Sequence, residues 1–326
     1  MTTQQIQCII TLAEEGSFSK AAKKLFVTQP SISQLIKNME QQLGASLFDR
    51  SSSPIRLTQV GTAYYDAAKK ILSTERELEN RISDINELRT GTLTIGTTPF
   101  RGSCLLPKSF SAFYHEFPGV KLEVITTSVK ELQTLLLSGE IDICIEATEF
   151  DPELFYIDEL ATEHYYLAVG RDNPFNDVHK EQQLKDSDIV SDSSALYQNK
   201  EISLSDCLSE SFIILDSKNN DPDITVDLFH NMKQIPRITL RCYNIETMFH
   251  WVNSNLGMGI IPDTLIRFGN FKEHPVYYRI KEPKGCFGIT EKKIVVAYNK
   301  KRFLTKTVPV YINLLKQLIG QGTWKF

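Results

Sequence analysis

Residues 26 to 44 read FVTQPSISQLIKNMEQQLG, with Thr28, Gln29, Ser31, Ser33 and Gln34 crowded at the front of one helix-forming segment. Hydroxyl and amide side chains both donate and accept hydrogen bonds, which is the capacity needed at base edges and phosphates. A helix start needs one such residue as its cap, and a proline suits the first turn. Capping therefore leaves most of this polar set unexplained. On a helical wheel, Ile32, Leu35, Ile36, Met39 and Leu43 fall within an arc of about 100°, the width of a core-facing stripe. Ser31, Ser33, Gln34, Lys37, Asn38 and Gln41 occupy the other side, a face rich in hydroxyls and amides, with one lysine, and poor in carboxylates.

A second group with chemical potential lies further on. Open α/β lobes bind ligands beyond the carboxyl ends of their strands, where helix N-termini supply amide groups. The strand in TLTIG delivers Thr97, Thr98, Phe100, Arg101 and Ser103 to that edge, and VKLEVITT delivers Thr127 and Ser128. EIDICIEA brings Glu146 and Ala147, and FIILD brings Asp216 and Ser217. An arginine beside hydroxyls and a helix start suits a carboxylate or other anion. The competing reading pairs Arg101 with Glu146, and Asp216 with Glu146 would instead suit a ligand carrying an amine.

Other chemistries find little support. There is no GxSxG, P-loop, HExxH or GxGxxG after a strand, so catalysis is not expected. The six histidines are scattered, and the six cysteines (8, 104, 144, 207, 242 and 286) form no CxxC pair and no zinc spacing. Neither a metal nor a resident cofactor is expected. Cys207 is the exposed-thiol candidate for a redox switch. The polar start MTTQQIQ and the absence of a membrane-length apolar run lead to an expectation of cytoplasmic location, away from the membrane.

Three regimes position these groups. The first 45 or so residues are helical, with a compact helix over Ser17–Phe26, its lysines Lys20, Lys23 and Lys24 outward, then the turn VTQ and the polar-faced helix. That is a helix-turn-helix arrangement, in which the second helix enters the major groove. SLFDRSSSPIRLT follows as a short ribbon. From Gln59 to Leu88 one long helix repeats Tyr64, Ile71, Leu78 and Ile85 every seven residues, the pattern of paired helices. Beyond RTG, strands alternate with helices, which implies parallel α/β construction in two lobes around a cleft. Residues 176 to 200 look like an extended polar loop or insertion.

Charge follows the same division. Residues 1–58 carry six Lys/Arg against four Asp/Glu, whereas the whole chain has a net charge of -4. A slightly basic head on an acidic body fits a nucleic-acid-binding end joined to another module.

The stretch GSFSKAAKKLFVTQPSISQLIKNMEQQLGASLFDR, then IRLTQVG, LLPKSF, FPGVKLEV, LLSGEIDICI and LGMGIIP in that order, resembles the LysR-type transcriptional regulators. The resemblance implies an α/β chain with an N-terminal winged helix-turn-helix, a long dimerising linker helix, and a two-lobed effector domain like type 2 periplasmic binding proteins. By position, the winged head would be 1–58 (helix-turn-helix about 18–37), the linker 59–90, and the effector domain 91–326. Lobe 1 would comprise about 91–163 and 266–326, and lobe 2 about 164–265. The resemblance implies DNA contacts from Gln29, Ser31, Ser33, Gln34 and Lys37 on the second helix and from Arg50, Ser52, Ser53 and Arg56 on the wing. It places a small-molecule effector in the inter-lobe cleft. Double-stranded DNA, that effector, and a homodimer extending to a homotetramer are the implied partners, with RNA polymerase a further candidate. The alternatives are a small-molecule binding protein whose head only dimerises, and a thiol-based redox-sensing regulator.

Overall fold

Thr2 starts the first helix: its hydroxyl accepts from the Gln5 amide at 3.3 Å while the Gln5 side chain accepts from the Thr2 amide at 2.9 Å. This reciprocal cap satisfies donors that a helix start leaves open, and α1 runs Thr3–Glu15. The computed structural model describes residues 1–85, 91–198, 201–216, 223–283 and 288–320. The chain divides into two compact units, Met1–Ile85 with Ser138–Glu140 and Asn86–Leu137 with Ile141–Phe326.

In the first unit, α1 ends at Gly16 with φ +57°, and a Cβ there would lie 2.8 Å from the Pro54 Cβ. Only glycine meets both demands without strain. Helices α2 (Phe18–Lys24) and α3 (Gln29–Leu43) follow, then a two-stranded ribbon of β1 (Phe48–Asp49) and β2 (Arg56–Leu57). The second helix is shorter than its expected span, because Phe26 turns the chain at φ +55° and stands 96% exposed. Ile6, Ile9, Leu12, Ala21, Ile32, Ile36, Met39, Leu47 and Phe48 form one core. Leu43, expected inward, is exposed; the last turn of α3 extends past the layer that the other three elements cover.

Thr58 joins ribbon to linker by accepting from Gly61 N at 2.9 Å and donating to Ser46 O at 2.6 Å. α4 then runs Gln59–Ile85. Its early residues Tyr64, Ala68 and Leu72 pack on the head core, whereas Ile71, Leu78 and Ile82 are exposed. The expected remainder of the linker, 86–90, lies outside the described residues, as do Ser217 and Cys286.

The second unit begins with β3 (Thr92–Thr97), α5 (Pro99–Glu116), β4 (Lys121–Thr126), α6 (Val129–Ser138) and β5 (Ile143–Glu146). β3 pairs in parallel with β4 and β5, as strand–helix alternation demands. β6 (Phe155–Val169) is far longer than the expected strand at HYYLAVG. Next come α7 (Phe175–Val178), α8 (Asp186–Val190), α9 (Ala195–Gln198), β7 (Ile202–Ser203), β8 (Ser211–Leu215), α10 (Ile224–Asn231), β9 (Arg237–Cys242), α11 (Ile245–Asn253), β10 (Gly259–Pro262) and α12 (Asp263–Phe268). The last elements are β11 (Val276–Lys281), β12 (Glu291–Asn299) and α13 (Thr307–Ile319).

β6 carries both lobes. Its first part pairs with β12 and its second with β10 and β11, all antiparallel, within a sheet ordered β4-β3-β5-β12-β6-β11-β7. The sheet is thus mixed rather than wholly parallel. The expected lobe boundary at 266 also shifts, since β11 still pairs with the second part of β6. Residues 176–198 are not an open loop. They hold short helices anchored by buried Leu184, Ile189 and Leu196, too few and too widely spaced apolar residues to register as a periodic pattern.

Candidate nucleic-acid interface and effector cavity

Thr28 caps α3, accepting from Ser31 N at 3.4 Å, and the Thr28 and Ser31 hydroxyls meet at 2.8 Å. Helix α3 ends at Gly44, whose φ of +69° suits the left-handed C-cap. Ile32, Ile36 and Met39 are buried beneath it, while Gln29, Ser31, Gln34, Lys37 and Asn38 face solvent and Ser33 is half-buried. Gln34 Nε2 donates to Asn38 Oδ1 at 2.7 Å, aligning two amides one turn apart. Lys37 makes no ion pair among the described residues, whereas Lys24 of α2 is held by Glu14 and Glu15 at 3.4 and 3.0 Å. The exposed edge of α3 thus carries amides and a cation open to solvent.

The wing residues divide. Arg50 pairs with Glu40 at 2.8 Å and lies 5.3 Å from the centre of the Phe18 ring. Glu40 in turn accepts from the amides of Leu47 and Phe48 at 2.8 and 3.3 Å, fixing the approach to β1. Arg50 is thus partly engaged by the head itself. Ser52 Oγ donates to Pro54 O at 3.1 Å, and Ser53 and Arg56 are exposed. Glu40 was not anticipated from the sequence. On a wheel it is one more polar position, and its task appears only when the chain folds back.

In the second unit a cavity of about 510 Å³ opens at the carboxyl ends of the strands. Thr98, Phe100 and Arg101 line it from the β3–α5 junction, Thr127, Ser128 and Glu131 from β4–α6, and Glu146 and Ala147 from the end of β5. The other lobe adds Asp216, Asp223, Tyr243 and Asn244, and Tyr165 and Lys292 close the base and rim. Of the expected residues, Thr97 and Ser103 lie outside this lining. The Thr97 hydroxyl is buried and donates to Ile145 O at 2.8 Å; that of Ser103 is exposed and donates to Glu246 at 2.6 Å. Tyr243 and Asn244 follow β9 and were accessible to the same strand-end rule. Tyr165 and Lys292 were not, because their place depends on how β6 and β12 cross.

Arg101 corrects the expectation of an anion clamp. Its Nε donates to Glu146, and Nη1 and Nη2 donate to the two oxygens of Glu163 at 3.0 and 2.8 Å. Burial works against the guanidinium charge, but Glu163 and Glu146 more than reverse it, so Arg101 stays firmly protonated. Burial likewise pushes the Glu163 carboxyl up, and Arg101 overcomes this to hold it below its ordinary value. The competing assignment of Arg101 to Glu146 is the correct one, with Glu163 added. Asp223 caps α10, accepting from Leu215 N at 2.6 Å and Thr225 N at 2.7 Å, and burial raises its carboxyl.

Cys207 is not an exposed thiol. It is fully buried against Ile202, Phe212 and Leu204, and burial, then Asp206 and Glu210, pushes it up to about 12. A short 3-10 turn at Leu204–Cys207 rotates it inward, which its polar sequence neighbours conceal. Among the described residues no group of three His, Cys, Asp or Glu is placed to hold a metal ion, and no helix is long and apolar enough to cross a membrane.

Comparison with known proteins matches residues 3–62 to the bacterial regulatory helix-turn-helix protein, lysR family, and residues 86–319 to the LysR substrate binding domain. The chain belongs to the LysR family of transcriptional regulators. It is 26% identical over 272 residues to a probable RuBisCO transcriptional regulator of Trieres chinensis, covering 81% of this chain and 82% of that one. A protein of the same description from Emiliania huxleyi is 33% identical over 177 residues, 53% of this chain and 56% of its own length. The alignments thus span little more than half of some relatives. Among solved structures, CbnR complexed with its target DNA superposes with a TM-score of 0.65 at 20% identity, covering 97% of this chain and 99% of that one. A full-length OxyR variant from Pseudomonas aeruginosa gives 0.63 at 22% identity, covering 98% and 94%. At such identities the likeness speaks to fold.

Proposed function

We propose that this chain is a ligand-responsive transcriptional regulator that reads operator DNA through α3 and senses a small molecule in the cavity of its effector unit. The observation that carries the DNA reading is the exposed Gln29, Gln34, Lys37 and Asn38 edge, on a helix whose opposite face is fixed in the head core. Family membership supports the major-groove placement of that helix. Arg56 and the wing hydroxyls add backbone contacts, and Arg50 joins them if it exchanges Glu40 for phosphate. The exposed Ile71, Leu78 and Ile82 on α4 support homodimerisation through the linker, which pairs two heads on one operator. A cytoplasmic setting fits this reading.

Ligand acts by its differential affinity for two arrangements of the effector unit. Gel shift and footprinting against the DNA flanking its own gene, with and without a metabolite extract, test the proposal. Specific protection that the extract alters supports it. Indifference to DNA sequence refutes the operator reading. Ala147→Trp, which fills the cavity, should abolish the extract response while leaving operator protection; a retained response would move the effector site elsewhere.

A further inference from the structure

The buried cation of the cavity, Arg101, is already neutralised. Arg101 contacts the lining, yet its donors are directed to Glu146 and to both oxygens of Glu163, which lies behind it. Three buried groups thus leave a net negative charge at the cavity wall.

The helix starts facing the cavity, which would otherwise attract an anion, have the chain's own oxygens beside them, and those of α10 and α11 are capped. Glu146 accepts from Thr98 N at 3.3 Å at the start of α5. Asp223 caps α10, and Asn244 caps α11 by accepting from Thr247 N at 2.7 Å. Glu131 stands in the first turn of α6.

What remains unmatched is mostly negative. Among the described residues the Asp216 carboxylate has no hydrogen-bond or ion-pair partner, and Glu131 accepts only from the hydroxyl of Thr127. The lining carries four carboxylates, of Glu131, Glu146, Asp216 and Asp223, against two cations, Arg101 and Lys292. Phe100, Tyr165 and Tyr243 add aromatic rings to the lining, the first two already beside the cations of Arg101 and Lys292; such rings favour cations and apolar bodies alike.

We infer that the effector of this regulator carries an ammonium group, held by Asp216 with support from Glu131, and an apolar or aromatic body against Phe100 and Tyr243. The inference rests on the cavity being the effector site. The volume, about 510 Å³, suits a small organic molecule rather than a bare ion. Lys292, exposed at the rim 5.7 Å from the Tyr165 ring centre, admits a carboxylate on the same ligand. An amine or an amino-acid-like zwitterion fits this lining, whereas a simple anion meets unscreened carboxylates.

The test uses the full chain and probes of one skeleton and opposite charge: phenethylamine, phenylalanine and phenylacetate, with putrescine and succinate as the aliphatic pair. Calorimetric titration and thermal shift should show the amine-bearing probes binding and the simple anions failing to. Asp216→Asn, at a half-exposed position whose carboxylate has no partner among the described residues, should weaken amine binding roughly tenfold while leaving the unliganded melting temperature unchanged. Tighter binding of phenylacetate or succinate, amine binding indifferent to Asp216→Asn, or no binding of either class overturns the inference. Ala147→Trp separates that failure from failure of the cavity itself: an extract response lost in this variant keeps the site and discards only the ammonium.

Discussion

Arg101 holds both carboxylate oxygens of Glu163 at 3.0 and 2.8 Å, with the two side chains 5% and 0% exposed. The pair joins α5 to the middle of β6, where the sheet passes from one lobe to the other. Removing one partner strands a buried charge, which destabilises by about 3–5 kcal/mol. Arg101→Ala should therefore lower the unfolding free energy by this order, read as a lower midpoint in denaturant. A midpoint within experimental error of the parent would contradict the role.

Acid should act through the same pair. The folded Glu163 carboxyl lies below its ordinary value of 4.5, so its contribution is fully present above that pH and is lost as pH falls through the folded value. Asp223 acts in the opposite sense, because burial raises its carboxyl above 3.8 and its share of stability declines as pH rises. The comparison of parent with Glu163→Gln isolates the first term. Melting temperature should fall less steeply below pH 4.5 in the variant, and parallel curves would exclude Glu163 as the titrating group.

On α3, Gln34→Ala should relax base preference, since its amide is aligned by Asn38 at 2.7 Å. Lys37→Ala should weaken binding to operator and random DNA alike and reduce the salt slope by about 1. Fluorescence anisotropy across a salt series reads both. Equal losses on the two DNAs for Gln34→Ala would remove its base-reading role.

Cys207→Ser should leave any oxidant response unchanged, because the thiol is buried and pushed up to about 12, which suppresses the reactive thiolate. Thiol labelling of the native chain should pass Cys207 by. Rapid modification there would reinstate the redox switch.

Leu78 is 58% exposed on α4. Leu78→Asp should shift the chain toward monomer in analytical ultracentrifugation and weaken operator binding, with the head's own stability unaffected because Leu78 lies outside its core. An unaltered sedimentation coefficient would place the dimer contact on another surface.

The order of modules, the exposed polar face of α3 and the strand-end positions of the cavity were legible in the sequence. They follow from local periodicity: a 3.6-residue stripe that must face a core, and strands whose ends must meet helix starts. Tertiary structure decided what each polar group faces. Glu163, Tyr165 and Lys292 gain their roles from chain segments distant in sequence, Glu40 gains its role from the fold-back at Leu47 and Phe48, and β6 takes both lobes because its two parts find different antiparallel partners. Arg101 shows the difference most directly. Sequence placed it at the cavity, but the charge it offers a ligand depends on carboxylates 45 and 62 residues away. Ion pairing acts through space, and no local pattern records it.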